Sequence, residues 1–291
     1  MVSIVVVHWN TPELLAACLH SISVSPSSSV REVVVVDCGS PGIAHVEVVA
    51  GFPEARLVES STNDGYAAGC NLGTNATSSE IIFFLNADTE VLPGAVDTIA
   101  DCFRVSSHAG LVAPLLLNRD RSIQSSGYRY PGVMNVICDL WPVPGRICAS
   151  GLNGRIGPGN RFHPYAIDYP LGAALAVRRS ALEQVGGWDE SFGMYSEEID
   201  LAKKLEKAGW LRLLEPRAEV IHHGGASTSQ RPLEMQAALW RSRAIYHRRW
   251  SSRWRRALFR AALAAAPAFS TKDGADTHAA IRSAFAAGLG S

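Results

Sequence analysis

Strands alternate with helices over the first 105 residues of the chain. Ser3 to Val7 and Glu32 to Val36 are runs rich in valine, the pattern of strands that are buried on both faces. Thr11-Pro12-Glu13 carries the signals of a helix start. Further strands are predicted near 56–59 and 81–85, and helices near 12–23, 65–76 and 93–103. This alternation predicts an α/β fold with a Rossmann-like, doubly wound and mostly parallel sheet. Farther along the chain, residues 130–165 are rich in Gly, Pro, Asn and Arg and are predicted to be irregular, and strands are predicted at 211–214 and near 220.

Polar side chains stand directly after these strands. The residues are His8, Asn10, Asp37, Asn86 and Asp88. In doubly wound sheets, ligands bind outside the carboxyl ends of the strands. The sequence therefore predicts a ligand site at this edge.

Two classes of nucleotide-binding enzyme are disfavoured. No G-x-G-x-x-G follows the first strand, and the set Gly65, Gly69 and Gly73 comes too late and with a different spacing, which argues against NAD. A nucleotidyltransferase shares the sheet and the acid-held metal but normally has a glycine-rich, basic phosphate loop near the first strand. No such loop is present.

The cellular location is predicted to be the cytoplasm. The 6 cysteines form no C-x-x-C pair, which argues against a zinc site and a secreted disulfide scaffold. The N-terminal apolar run is too short for a signal peptide, and no stretch reaches the roughly 18 apolar residues of a spanning helix.

Three clusters carry candidate chemistry. Asn86-Ala87-Asp88 follows a buried strand, and its carboxylate could hold a hard divalent cation or cap a turn. Glu197, Glu198 and Asp200 open a helix, where acids complement the helix dipole or act as a general base. In His222-His223, only one ring can reach a given metal, because adjacent side chains of an extended chain point opposite ways. Aspartate and histidine together with phosphate oxygens suit Mg²⁺ or Mn²⁺ better than zinc.

The C-terminal part of the chain is basic. Residues 235–270 contain eight arginines, interleaved with aromatic residues, and no Asp or Glu, whereas acidic residues outnumber basic ones in 1–234. Such a basic amphipathic segment is typical of helices that lie on anionic membranes. A nucleic acid is the rival partner, but the acidic body would repel a long duplex, so no nucleic-acid partner is predicted.

The ordered motifs VSIVVVHWN, VVVDCGS, NDGYAAGCNLG, FFLNADTEV and GGWDESFGMYSEEIDL, with IHHGGAS after the last, resemble the inverting family-2 glycosyltransferases of the GT-A fold. The likeness covers about residues 1–230 and is strongest to the bacterial rhamnosyltransferase-like branch. It implies a GT-A domain over 1–234, with a nucleotide-sugar-binding half at 1–105 and an acceptor-side half at 106–234. Residues 235–291 then form the basic, helical extension.

The resemblance also implies site residues. Those expected to bind the donor nucleotide are His8, Asn10, Asp37, Asn63, Gly65, Asn71, Asn86 and Asp88. Asp88 and His222 would be the metal ligands, and Trp188 and Asp189 would line the acceptor side. The acidic pair of the family falls on Glu197-Glu198, with Glu198 as the preferred base and Glu197 as the alternative.

Two departures from the family pattern stand out. The metal motif begins with Asn86 where Asp is usual, which implies weaker metal affinity. Glu198 stands where the family has an Asp, and its side chain is one methylene longer.

The resemblance implies transfer with inversion from dTDP-L-rhamnose to a saccharide or a polyprenyl-diphosphate-linked saccharide, as in cell-envelope polysaccharide synthesis. The enzyme would be peripheral at the inner face of the cell membrane. A UDP-hexose-dependent transferase and a catalytically silent nucleotide-sugar-binding module are the alternatives. The oligomeric state stays open, a homodimer included.

Overall fold

The computed structural model describes residues 1–140, 143–157, 159, 161–224, 232–265 and 283–288. The end of the motif IHHGGAS and most of residues 266–291 therefore lie outside the described residues. The strands are β1 (Val2–His8), β2 (Val30–Cys38), β3 (Ala55–Ser60), β4 (Ile81–Asn86), β5 (Thr89–Val91), β6 (Ala109–Leu117), β7 (Gly127–Tyr128), β8 (Arg155–Ile156), β9 (Tyr165–Ala166), β10 (Tyr169–Pro170), β11 (Ala174–Arg178) and β12 (Leu211–His222).

The α-helices are α1 (Pro12–Ser23), α2 (Ala44–Ala50), α3 (Tyr66–Asn75), α4 (Ala95–Val105), α5 (Val133–Leu140), α6 (Gly145–Cys148), α7 (Arg179–Gln184), α8 (Glu197–Lys207), α9 (Pro232–Trp250) and α10 (Arg253–Ala265). Short 3-10 helices span Gly151–Asn153 and Glu190–Phe192, and residues 283–288 are helical as well. None of the helices in these described ranges is long and apolar enough to span a membrane.

A nine-stranded sheet forms the centre of the fold. Its strand order is β3-β2-β1-β4-β11-β6-β12-β5, and β9 pairs with β12. Strands β1, β2, β3, β4, β6 and β12 run in one direction, and the others run against them. The predicted α/β fold with a mostly parallel sheet is confirmed. A second sheet contains β10, β7 and β8.

Hydrophobic residues on the two faces of the central sheet form two large core clusters. Successive side chains of a strand point to opposite faces, so Ile4 and Val6 of β1 pack on one face, while Val5 and Val7 pack on the other. Since both faces are covered, the central strands are buried along almost their whole length. The carboxyl ends of β1 and β4 lie side by side, so that Val7 is paired with Asn86.

Two local predictions differ from the structure. The strand pieces predicted at 211–214 and near 220 are one strand, β12, whose register shifts between Glu215 and Glu219. Pro216 lies at this irregularity, where a residue without an N–H is tolerated. The stretch 130–165, predicted to be irregular, contains the helices α5 and α6 and the strand β8 of the small second sheet.

Helix α9 lies against the body of the protein. Its side chains Ile245 and Tyr246 pack in one cluster with Ile199 of α8 and with Phe192. Another face of α9, with Trp240 and Ala244, packs in a cluster with Val136, Phe259 and Phe285. The predicted domain boundary at residue 234 thus falls within a helix whose two faces are both covered.

Candidate active site

A cavity of about 330 Å³ opens at the carboxyl ends of β1 and β4. Eight residues predicted from the sequence line it: His8, Asn63, Gly65, Asn86, Asp88, Glu197, Glu198 and His222. Five others, Asn10, Asp37, Asn71, Trp188 and Asp189, do not. The cavity therefore brings together the metal candidates and the acidic pair.

His8 and Asp37 form a buried pair beneath one wall of the cavity. His8 Nδ1 lies 2.7 Å from Asp37 Oδ1, and the backbone N–H of Thr11 donates to His8 Nε2 at 3.0 Å. Nδ1 must then carry the proton, so both ring nitrogens are occupied. Burial acts to raise the pKa of Asp37, but hydrogen bonds from His8 and Ser40 outweigh it and lower that pKa. Asn10, with a positive φ of 52°, donates its N–H to Ser40 Oγ.

The pair Asp88 and His222 has the chemistry of a cation site. His222 Nε2 lies 3.6 Å from Asp88 Oδ1, which has no hydrogen-bond partner among the described residues. His222 Nδ1 lies 2.8 Å from Gln124 Oε1 and must donate to it, which leaves the lone pair of Nε2 on the Asp88 side. Burial lowers the pKa of His222 and keeps its ring neutral. Two electron-pair donors thus face each other, an arrangement that a divalent cation stabilises.

The two adjacent histidines have different surroundings. His223 Nε2 lies 2.6 Å from Glu90 Oε1, away from the Asp88 carboxylate. The backbone N–H of His223 donates to Asp88 O at 2.9 Å and joins the ends of β4 and β12. No group of three or more His, Cys, Asp or Glu residues suited to a metal occurs in the described part of the chain. A cation at Asp88 and His222 would therefore need further ligands from a bound substrate.

Glu197 and Glu198 begin helix α8 and both reach the cavity wall. Glu197 is 6% exposed, and its Oε2 has no hydrogen-bond partner in the described structure. Burial raises the pKa of both carboxyls, and the neighbouring charge of Glu197 adds to the rise at Glu198. A carboxyl with a raised pKa is a stronger base than an ordinary one, as general-base catalysis near neutral pH requires.

The loop before α8 is held in an uncommon conformation. Tyr195 and Ser196 have φ values of 68° and 66°, in the left-handed region that non-glycine residues seldom adopt. On the opposite side, Gly65 has a φ of 96°, and a Cβ there would lie 1.8 Å from the carbonyl oxygen of Gly193. Tyr66 N–H donates to that same oxygen at 3.1 Å. Because Gly65 has no side chain, the start of α3 can lie in close contact with this loop.

Asn71 and Trp188 support the wall from behind. The Asn71 side chain donates to Trp188 O at 3.0 Å and accepts from Trp188 N at 3.1 Å. Trp188 is 3% exposed, and its ring meets Tyr66 and Phe84 edge to face. Both side chains are thus engaged within the protein, and their predicted roles in binding donor and acceptor stay predictions.

Asp189 is engaged in local contacts. It accepts from Ser191 N at 2.9 Å, and its other oxygen lies 2.6 Å from Arg249 Nη1. Burial acts to raise the pKa of Asp189, but the contacts with Ser191 and Arg249 outweigh it and lower that pKa to about 2. Its predicted acceptor role stays a prediction.

Several residues that line the cavity were not predicted from the sequence. Tyr66 donates its hydroxyl to Gly172 O at 3.0 Å, and Glu198 packs against Gly172. Tyr66 stands in the quoted motif NDGYAAGCNLG, so its position could have been predicted. Glu234 and Met235, from the start of α9, gave no signal because they lie at the boundary with the extension.

The chain is similar to known glycosyltransferases. Residues 3–120 match the profile of Glycosyl transferase family 2. The chain is also 32% identical over 273 residues to an N-acetylglucosaminyl-diphospho-decaprenol L-rhamnosyltransferase of Mycobacterium tuberculosis, a match that covers 88% of this chain and 87% of the relative. This chain belongs to glycosyltransferase family 2. A hexosyltransferase of low-salt glycan biosynthesis from Haloferax volcanii is 24% identical to this chain over 211 residues. That match covers 70% of this chain and 61% of the Haloferax protein.

Solved structures share the fold of the transferase. GalNAc-T7, crystallised with UDP, GalNAc and Mn²⁺, has a TM-score of 0.67 at 14% identity, covering 96% of this chain. The transferase spans only 54% of that protein. A mannosyltransferase from Pyrobaculum calidifontis, in complex with GDP-Man and Mn²⁺, has a TM-score of 0.58 at 19% identity, and the match covers 99% of this chain and 86% of the mannosyltransferase. The GT-A fold predicted from the sequence is confirmed.

Proposed function

We propose that this glycosyltransferase moves L-rhamnose from dTDP-L-rhamnose to N-acetylglucosamine that is linked through a diphosphate to a polyprenol. The observation that carries the proposal is that the Asp88–His222 pair and the Glu197–Glu198 pair line the same cavity. The similarity to the mycobacterial rhamnosyltransferase over nearly the whole of both chains supports this donor and acceptor.

In the proposed reaction, an acceptor hydroxyl attacks the anomeric carbon in one displacement, and the configuration at that carbon is inverted. Glu198 removes the hydroxyl proton, with Glu197 as the alternative base. Asp88 and His222 would hold a divalent cation, Mg²⁺ or Mn²⁺, which would supply positive charge to stabilise the departing nucleoside diphosphate. Asn63 and Gly65, which line the cavity, would contact the donor nucleotide, and the buried His8–Asp37 pair would keep the end of β1 in place.

Transfer and binding assays with two donors test the proposal. The purified protein, Mn²⁺ and a short-chain N-acetylglucosaminyl-diphospho-polyprenol should yield a rhamnosylated lipid with dTDP-L-rhamnose and not with UDP-glucose. The same donor should raise the melting temperature, since a ligand that binds only the folded state stabilises it by mass action. Transfer from UDP-hexoses alone would overturn the donor. Donor binding without transfer or hydrolysis would indicate a silent binding module.

We also propose that helix α10 contacts an anionic membrane, where a polyprenol-linked acceptor would be held. Only part of the basic extension could do so, because Trp240, Tyr246 and Phe259 are buried in the core of the protein. Trp254 and Leu258, one turn apart on α10, remain 61% and 46% exposed. The arginines that flank them on the same helix are exposed as well: Arg253, Arg255 and Arg260. An apolar pair within a basic surface favours a lipid interface.

Vesicle flotation tests this second proposal. Trp254→Ala with Leu258→Ser should release the protein from vesicles containing phosphatidylglycerol, and raised salt should weaken binding of the intact chain. Val105→Ser, at an apolar side chain that is 80% exposed on α4, is the matched control and should leave binding unchanged. Removal of α9 is unsuitable, because its side chains belong to the core. Equal binding of the double variant and the intact chain would refute the proposal.

A further inference from the structure

Helix α9 contacts the loop that leads to the acidic pair. The hydroxyl of Ser242, on α9, lies 2.8 Å from the carbonyl oxygen of Phe192 and 2.7 Å from that of Met194, and donates between them. Ser242 is fully buried. Its hydroxyl therefore holds two carbonyls of the loop at a place where water cannot replace it.

A second contact is made near the C-terminal end of α9. Arg249 Nη1 lies 2.6 Å from Asp189 Oδ2 and 2.9 Å from Asp200 Oδ1. The indole N–H of Trp250 donates to Asp200 Oδ1 at 2.7 Å. Asp200 is completely buried, and the guanidinium compensates its charge. Since Asp189 precedes the loop and Asp200 follows it, Arg249 joins the two ends of the segment.

The segment between these two anchors contains the strained part of the site. Tyr195 and Ser196 both have a positive φ, and Glu197 and Glu198 follow at once. Two successive non-glycine residues keep this conformation only where their surroundings impose it. On one side of the segment, Gly65, directly before α3, lies close to the Gly193 carbonyl. On the other side, the segment is held by α9.

We infer that Ser242 and Arg249 are positioning residues, which hold the segment 189–200 so that the carboxyls of Glu197 and Glu198 face the cavity. Helix α9 is thereby part of the apparatus of sugar transfer, although the sequence groups it with the basic extension. The inference rests on the proposed function, in which one of these carboxyls is the base.

The test compares Ser242→Ala, Arg249→Gln and Arg249→Lys with Arg248→Gln. Arg248 is an exposed neighbour on the same helix, so its variant makes the same charge change outside the contact. We expect kcat to fall on the order of 10- to 100-fold in Ser242→Ala and Arg249→Gln, because a displacement of about 1 Å has this effect on a catalytic group. The donor KM should change little, Arg249→Lys should recover part of the loss, and Arg248→Gln should match the intact chain.

The pH profile separates positioning from mere stability. A looser segment exposes the carboxyls to water, which lowers their raised pKa and moves the acid limb of kcat to lower pH. Across the cavity, the titratable side chains of Asp88, His222 and Glu234 line the same space as these carboxyls. The tyrosine and cysteine side chains that interact with the carboxyls are Tyr66, Cys70, Tyr128 and Tyr169. Burial raises the pKa of each of these four side chains, so they remain neutral over this range.

Unchanged kcat and an unchanged acid limb in folded Ser242→Ala and Arg249→Gln would overturn the inference. The inference would also be overturned if the loss of activity in these variants were fully explained by the loss of folded protein seen in a thermal melt. If Ser242→Ala fails to fold, the comparison of Arg249→Gln with Arg249→Lys, at a partly exposed side chain, decides the question. A different result tests the proposed function: if Glu198→Gln and Glu197→Gln are both fully active, the base is wrongly assigned whatever the α9 variants do.

Discussion

The close contact of Gly65 with Gly193 makes Gly65→Ala a sharp test of how the site is held together. A Cβ at position 65 would lie 1.8 Å from the Gly193 carbonyl oxygen, and the φ of 96° is unfavourable for alanine in any case. Non-bonded heavy atoms need roughly 3.5 Å, so the two backbones must separate by about 1.5 Å or more. The displaced loop is the one that carries Glu197 and Glu198.

Two magnitudes follow from this geometry. Backbone strain at position 65 should cost about 1–3 kcal/mol of unfolding free energy. Displacement of the loop by about 1 Å or more should lower kcat on the order of 100-fold. The assays are urea unfolding and steady-state transfer with saturating donor and acceptor.

Gly94→Ala is the matched control. Gly94 has a φ of 81°, but no atom lies within 4 Å of the position that its Cβ would take, and it lies at the start of α4, outside the cavity. This variant should lose stability of the same order, about 1–3 kcal/mol, and keep its kcat. If folded Gly65→Ala turned over at the rate of the intact chain, the contact would not position the acidic pair.

Three further results are expected. Glu198→Gln should lower kcat about 10²–10⁴-fold with donor binding retained, and a large loss in Glu197→Gln with a silent Glu198→Gln would move the base by one residue. Burial raises the pKa of Glu197 and of Glu198, and the base acts in its deprotonated form, so activity should fall with decreasing pH well above the ordinary glutamate pKa of about 4.3. Glu197→Gln should move this acid limb to lower pH, because the charge of Glu197 contributes to the raised pKa of Glu198. An acid limb near the ordinary glutamate pKa in the intact chain would contradict this prediction. Gln124→Leu should weaken Mn²⁺ affinity about 10- to 100-fold in calorimetry with bound nucleotide, and unchanged affinity would refute the role of Gln124.

The position of the site could be predicted from strand ends. A buried valine-rich run shows where a strand stops, and parallel strands stop at one edge, so Asp88 and the end of β1 could be placed together without a structure. Glu197, Glu198 and His222 stood out as clusters of chemical side chains, and the resemblance assigned their roles; all three line the same cavity. The direction of a side chain in a loop is harder to foresee. Trp188 faces the protein interior, where its ring packs against Phe84, and no periodic pattern in the sequence marks that direction.

The basic extension shows a second limit. Arginine interleaved with aromatic residues is compatible with a lipid surface and equally with a helix whose aromatic side chains are core. On α9, Trp240 and Tyr246 are 3% and 4% exposed, so the pattern there reflects packing. On α10, Trp254 is 61% exposed and keeps the lipid interpretation open to test. Periodicity cannot separate the two cases, since both require one apolar face.

Metal-dependent transfer is tested by rhamnosyl transfer in Asp88→Ala as a function of Mn²⁺ concentration, with the intact chain and a chelator as references. Asp88 is the one carboxylate that faces His222 Nε2 among the described cavity residues. We expect that transfer is lost in the folded variant at all Mn²⁺ concentrations and is lost in the intact chain on chelation. Transfer that persists in Asp88→Ala with the chelator present would remove the metal from the mechanism.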